Sequence, residues 1–340
     1  MQPFYSLVSF WMFVIMTGCM HGSENKDGEH SDHQSRESII DTLVHTLPAN
    51  YLETLDTIDK SQLIEITSYK DLLELFERLN YTPEAWQSGI RDVPRVYLIL
   101  IGDRWGATSS KEVTVENKKR IFFRGIAPMI LRANELILMD RNKLDQLRSA
   151  FLEGHSLSET DQKWLATLSG LYKVKYENPL TASTLNELWK KVDIIPPSLA
   201  LAQGAEESGW GTSRFAAEGN AVYGQWTWGE NAITPKAQRT ELGNYGIAAF
   251  GSLQESVCGY MLNLNTHAAY SELRTKRAEL RNSGEKITGY LLSETLTRYS
   301  ERGEEYVKTL KQMMDYNRLE PADDAFLTSD PPIFLVPAQE

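Results

Sequence analysis

The spacing of apolar residues changes character several times along the chain. Residues 4–16 (FYSLVSFWMFVIM) are an unbroken apolar run, the length of an export-signal core and too short for a bilayer-spanning helix. Residues 21–38 (HGSENKDGEHSDHQSRES) are polar and charged with no aromatic, so they have no face to bury and read as a flexible tether. Over residues 39–79 apolar side chains recur at three and four positions, among them Ile64, Leu72, Leu73, Leu75, Phe76 and Leu79. This is the helical template, and Asn80 and Pro83 punctuate it. Residues 96–101 (VYLILI) form a short continuous run before Gly102-Asp103, readable as a buried strand or extended segment. Helical spacing returns over 121–138 and 144–151, and Ser158-Glu159-Thr160-Asp161 leads into Trp164, Leu165, Leu168 and Leu171. These stretches predict a helical N-terminal region over residues 46–180.

From Thr184 the texture shifts to Gly, Trp and Tyr between short helices, as where a backbone or a ligand must come close. Residues 212–252 have the spacing of a small β-lobe: residues 222–228 alternate, Gly243-Asn244 is a turn signal, and residues 247–250 resume. Helix returns over 254–264, and a last helix carrying Tyr306, Leu310, Met313 and Met314 stops before Pro321, leaving a Pro-containing tail over 321–340. The expected fold class is therefore mainly α (α+β).

Composition narrows the function classes. A length of 340 residues favours about two domains, and 41% hydrophobic with 24% charged residues excludes global disorder. A formal net charge of -11 argues against nucleic acid as a partner. The 2 cysteines, Cys19 and Cys258, make neither a disulfide framework nor a Cys-rich zinc site. Cys258 lies in an apolar stretch and reads as a buried free thiol, and His21, His30 and His33 belong to the solvated tether. No metal and no cofactor are expected.

Candidate chemistry sits where a helix ends. Pro196-Pro197-Ser198, then LALAQGAEES and Gly209, combine helix-start and helix-stop residues, which puts Glu206 and Glu207 in the last turn. A carboxylate there faces the negative end of the helix dipole, and Trp210 beside it would keep water away; both effects raise a pKa. A carboxylic acid protonated near neutral pH is what a glycosidase needs to protonate a leaving sugar oxygen. The plain alternative is two exposed glutamates ending a surface helix. Trp226 and Trp228, two apart on an expected strand, point to one side and offer flat faces for a pyranose ring, although each is equally compatible with a core position.

The segment Ala205-Glu206-Glu207-Ser208-Gly209-Trp210-Gly211-Thr212-Ser213 is followed by Asn220-Ala221-Val222-Tyr223-Gly224, then by Phe250-Gly251-Ser252, Glu255-Ser256 and Tyr260. In order and spacing this set resembles the glucosaminidase family of peptidoglycan hydrolases. Residues 263–270 (NLNTHAAY) and 299–306 (YSERGEEY) resemble its Bax-type branch, and the likeness extends upstream through Asn117-Lys118-Lys119 and Asn134-Glu135, covering roughly residues 70–318. The resemblance implies a lysozyme-like helical catalytic domain over residues 181–320, with the β-lobe as one wall of a cleft. It puts the general acid on Glu207 and gives Glu206 no counterpart. Trp210, Asn220, Tyr223, Gln225, Trp226, Trp228, Tyr260 and Tyr299 are the implied substrate-binding positions; Ser208, Gly209, Gly211 and Ser213 shape the backbone. For a second carboxylate the candidates are Glu230 and Glu241, with Glu241 favoured because a hairpin tip can reach over a cleft. A route through the substrate's own N-acetyl group needs neither. The implied activity is endo-β-N-acetylglucosaminidase action on peptidoglycan glycan strands. A muramidase or lytic transglycosylase, a non-hydrolytic cell-wall-binding lipoprotein and an N-glycan substrate stay open as alternatives.

The apolar run ends in Met16-Thr17-Gly18-Cys19, which resembles the lipobox of bacterial lipoproteins. That resemblance implies a signal peptide over residues 1–18, lipidation of Cys19, and a tether over 19–45 holding the protein to a membrane on its periplasmic or extracellular side. A cleaved secretory peptide or an uncleaved anchor is the alternative, and either also exports the chain. Metabolic labelling with a fatty acid is expected to mark the wild type and to be lost in Cys19→Ala.

Overall fold

The computed structural model describes residues 63–102, 105, 110–229, 232–236, 243 and 245–338. The export signal, Cys19, the tether, Glu230 and Glu241 lie outside the described residues. Among the described residues no helix is long and apolar enough to cross a membrane. Among the described residues the fold is mainly α with three small sheets.

The N-terminal elements are β1 (Leu63–Ile66), α1 (Tyr69–Arg78), α2 (Pro83–Gln87), β2 (Asp92–Val93) and β3 (Val96–Leu98). Helix α1 starts on a capping box, in which Ser68 accepts from the Asp71 amide and the Asp71 carboxylate accepts from the Ser68 amide. The run over 96–101 supplies a strand only at β3. A short helix α3 (Ser110–Glu112) precedes α4 (Val115–Leu152), a single helix of 38 residues that joins the two helical stretches seen in the sequence and contains Pro128. Helix α5 (Glu159–Leu171) and α6 (Ala182–Lys191) follow.

The proline-containing tail turns out to be structural. Beyond α12 (Glu304–Asn317) it forms β7 (Phe326–Leu327), which pairs with β2, and β8 (Ile333–Pro337), the middle strand of a parallel sheet in the order β1-β8-β3. Leu63 pairs with Phe334 and Val96 with Ile333. The prolines hide a β-prone Ile-Phe-Leu-Val run whose Phe334 and Leu335 are buried. Close packing against Pro337 is eased by Gly102, whose absent Cβ would lie 3.4 Å from the proline ring.

The elements that follow α6 are α7 (Pro197–Ser208), α8 (Arg214–Gly219), β4 (Trp226–Thr227), β5 (Ala232–Ile233), β6 (Gly246–Ala248), α9 (Leu253–Thr266), α10 (Ser271–Ser283) and α11 (Gly289–Ser293), then α12. Strands β4-β6-β5 form an antiparallel sheet, with Trp226 opposite Ile247 and Ala232 opposite Ala248, where the sequence predicts a β-lobe. Helix α4 packs against α6, α7 and α9. One apolar core accordingly runs from Tyr97 on β3 to Phe334 on β8, taking in α4 and α7 between them. Asn134 of α4 reinforces this by bonding both backbone groups of Ile195, giving at 2.9 Å and accepting at 3.1 Å.

Helix α7 is fixed at its entry by charge. Asp193 receives two hydrogen bonds from Arg281, at 2.6 and 2.9 Å, with Arg141 and Arg277 at 3.5 and 3.7 Å. Burial works to raise the pKa of this carboxyl, but the three guanidinium groups outweigh it and hold Asp193 below the usual carboxylate range. Arg277, fully buried, also donates to the carbonyls of Asp193 and Ile194 and to Asn265 Oδ1. Pro196 offers α7 no side-chain cap. Asp323 supplies one from after α12, accepting from the Ser198 amide and hydroxyl at 2.8 Å each and from the Gly289 amide at 2.9 Å. Replacing Arg277 by Leu leaves several buried carbonyls and Asn265 Oδ1 without their donor and removes one of the three cations facing Asp193, and is expected to cost about 3–5 kcal/mol, read from the midpoint of denaturant unfolding.

Candidate active site

The site grows from the C-terminal end of α7. Residues 197–205 of this helix are all buried, and its small residues let neighbours press close: a Cβ on Gly204 would meet Val222 at 3.1 Å and both Phe122 and Tyr223 at 3.3 Å. The helix stops where Gly209, Trp210 and Gly211 adopt φ of 56°, 64° and 73° in succession. Glycine takes that conformation without strain at two of the three positions; Trp210 is held in it. Ser208 locks the turn, donating to the Gly204 carbonyl at 2.6 Å and accepting from the Gly211 amide at 2.8 Å. Ser213 then caps α8 by accepting from the Ala216 amide. The glycines and serines of this segment thus have the backbone roles read for them.

Glu206 and Glu207 part company at the helix end. Glu206 pairs with Arg302 at 2.8 Å near the surface. Glu207 turns inward, is half-buried as a side chain, and accepts a 2.8 Å hydrogen bond from the Tyr306 hydroxyl at Oε1. Desolvation pushes its pKa up to about 8, and the Glu206 charge adds to the rise, while the Tyr306 hydrogen bond and Arg302 oppose it. The shielding comes from tyrosines: Tyr260, Tyr270, Tyr299 and Tyr306 are buried and feel the Glu207 charge, their hydroxyls raised by burial first and by that charge second or later. Trp210, expected to be the shield, instead meets Phe122 and Phe123 edge-on at 5.9 and 5.3 Å between ring centroids, with the Lys119 ammonium 4.9 Å over its ring. The reversed backbone of the turn sends the indole to α4.

Behind Glu207 runs a chain of buried polar groups. Tyr260 donates to Gln203 Oε1 at 2.6 Å, and Gln203 Nε2 donates to the Tyr306 oxygen at 3.1 Å. The rings are held by stacking, Tyr223 on Tyr260 at 3.8 Å and Tyr299 on Tyr306 at 5.4 Å. Tyr223, Tyr260 and Tyr299 are thereby gathered under the acid as buried groups. Asn220, at the left-handed end of α8, ties two loops together, accepting from the Ile101 amide at 3.1 Å and donating to the Phe250 carbonyl at 3.0 Å. In the β-lobe Trp226 stacks on Tyr245 at 4.4 Å and lies 6.2 Å from Trp228 at an angle of 59°. Both indoles are half-buried. The Gln225 amide oxygen and the Trp226 indole nitrogen are buried without a partner. Among the described residues no group of three or more His, Cys, Asp or Glu is placed to hold a metal ion.

The sequence does not single out Gln203, Tyr270, Tyr245 or Arg302 as site residues, and it offers Tyr306 as a cleft-lining position or, more readily, a packing one. Gln203 had a signal, since it precedes Glu207 by four and shares its helix face. Tyr306 and Arg302 lie about a hundred positions away, beyond any local pattern.

Residues 182–319 match the glucosaminidase family, described as mannosyl-glycoprotein endo-beta-N-acetylglucosaminidase. The chain is similar to the protein bax of Escherichia coli (strain K12), 33% identical over 201 residues, covering 59% of this chain and 70% of that protein. No solved structure matches the chain.

The raised pKa of Glu207 has a thermodynamic sign. Between the unfolded value of 4.5 and about 8 the folded chain keeps a proton that the unfolded chain has released, so stability falls as pH rises through that window. Glu207→Gln removes this fall, and thermal melts across the window are expected to show the variant gaining on the wild type by several degrees, with the gain level above the upper limit.

Proposed function

The chain belongs to the glucosaminidase family of glycoside hydrolases, in its Bax-type branch, and from that premise we propose that it hydrolyses the β-1,4 bonds of peptidoglycan at N-acetylglucosamine, with Glu207 as general acid. The observation that carries this reading is a carboxyl desolvated enough to stay protonated to about pH 8, in the last turn of an enclosed helix and hydrogen-bonded by the Tyr306 hydroxyl. Glu207 gives its proton to the glycosidic oxygen as the bond from C1 to that oxygen breaks. The departing sugar leaves as a neutral alcohol, and positive charge develops at C1 and the ring oxygen. Trp226 and Trp228, both half-buried, offer apolar faces to the pyranose rings. The second function, attack by water or by the N-acetyl oxygen, falls to Glu241 or to the substrate itself. An export signal and a lipid on Cys19 would keep the enzyme at a membrane facing the wall, with the tether giving it reach.

Digestion of purified peptidoglycan followed by mass spectrometry is the test. Fragments with a reducing N-acetylglucosamine end are expected; reducing or anhydro muramic ends would assign the other bond, and no fragments would indicate a binding protein. Glu207→Gln should lower turnover by about 10²–10⁴-fold while still binding glycan. Wild-type activity should decline on the alkaline side as the carboxyl ionises near pH 8.

A further inference from the structure

We propose that Gln203 is a positioning residue for Glu207: held between the hydroxyls of Tyr260 and Tyr306, its amide sets the direction of the hydrogen-bond chain so that Tyr306 donates to Oε1 and the acid carries its own proton on Oε2. The proposal rests on the reading of Glu207 as the acid and adds which oxygen delivers.

The argument is one of donors and acceptors in a dry place. Gln203 and Tyr260 are both 0% exposed and Tyr306 is 1% exposed, so water does not compete along the chain. A buried hydroxyl must place its proton, and Tyr260, pinned by its stack on Tyr223, places it on Gln203 Oε1. An amide has its donor and acceptor on opposite arms, so an accepting Oε1 leaves Nε2 facing Tyr306. The Tyr306 oxygen, already accepting, then directs its single proton to Glu207 Oε1. The opposite polarity has a different outcome. With the amide turned over, Tyr306 would donate to Gln203, and a protonated Glu207 would donate back to Tyr306. The acid's proton would then point into the core instead of toward a sugar.

Other groups around the carboxyl do not set this direction. Glu206 and Arg302 are engaged with each other on the outer side, and Tyr260, Tyr270 and Tyr299 act on Glu207 through burial and charge.

The test uses the full chain and two readouts, the NMR titration of the Glu207 carboxyl and the pH dependence of kcat. Tyr306→Phe removes the donor outright and sets the reference. A hydrogen bond given to a carboxylate favours its ionised form, so losing it raises the pKa and moves the alkaline limb of kcat to higher pH, by about one unit. Tyr260→Phe deletes one oxygen and keeps the ring stack, while Gln203→Met keeps the volume and deletes the amide; each is expected to shift the titration the same way, with kcat falling and KM unchanged. Combining Tyr260→Phe with Tyr306→Phe should add no further shift. Variants that lose Tm or activity while the Glu207 titration stays at its wild-type position would overturn the proposal, and if Gln203→Met does not fold, Tyr260→Phe decides alone. Should Glu207→Gln stay active, the reading of the acid fails instead, and the titration still tests the chain.

Discussion

The enclosure of α7 is the constraint from which the rest of the structure follows. A helix buried from Pro197 to Ala205 must have its entry satisfied by protein, because water does not reach it. At the entry, the Asp193 and Arg277 cluster fixes the approaching loop and Asp323 caps the first turn from the far end of the sequence. At the exit, three residues with positive φ turn the chain sharply, so that Ser208 can close the helix and Trp210 can pack on α4. Glu207 sits in the final turn before that bend and cannot escape to solvent as an ordinary C-terminal glutamate would.

Two acids, one just before α7 and one in its last turn, show how surroundings decide ionisation. Asp193 faces three guanidinium groups, and their charge overcomes the burial penalty, so the carboxylate persists well into the acidic range. Glu207 faces one hydroxyl and a guanidinium already engaged by Glu206, and burial wins. The first arrangement builds structure and the second builds reactivity. The difference lies in the number of positive charges within reach rather than in depth.

Much of this was legible in local sequence. The boundaries of α7, the placement of Glu207 in its last turn, the β-lobe and the helical spacing of α4 all follow from punctuation and periodicity, which are properties of neighbours in the chain. The raised pKa was expected for partly the wrong reason: Trp210 follows Glu207 closely in sequence, but the turn carries it away, and Tyr260 of α9, Tyr306 of α12, and Tyr270 and Tyr299 from the segments between these helices take its place. What escaped was made by distant pairing. Tyr306 meets Glu207 across 99 positions, and β8 reads as a tail because two prolines precede it and one closes it. Its strand character appears only when β1 and β3 are brought alongside.

The position of β8 between β1 and β3 also orders events in the life of the chain. Strands β1 and β3 do not pair with each other in that sheet; each waits for β8, more than two hundred residues further along the chain. The sheet cannot complete until that segment has been made, and the early edges stay open until then. Assembly of this part of the molecule therefore depends on a contact of very high sequence separation, and loss of β8 would leave β1 and β3 without a partner in it.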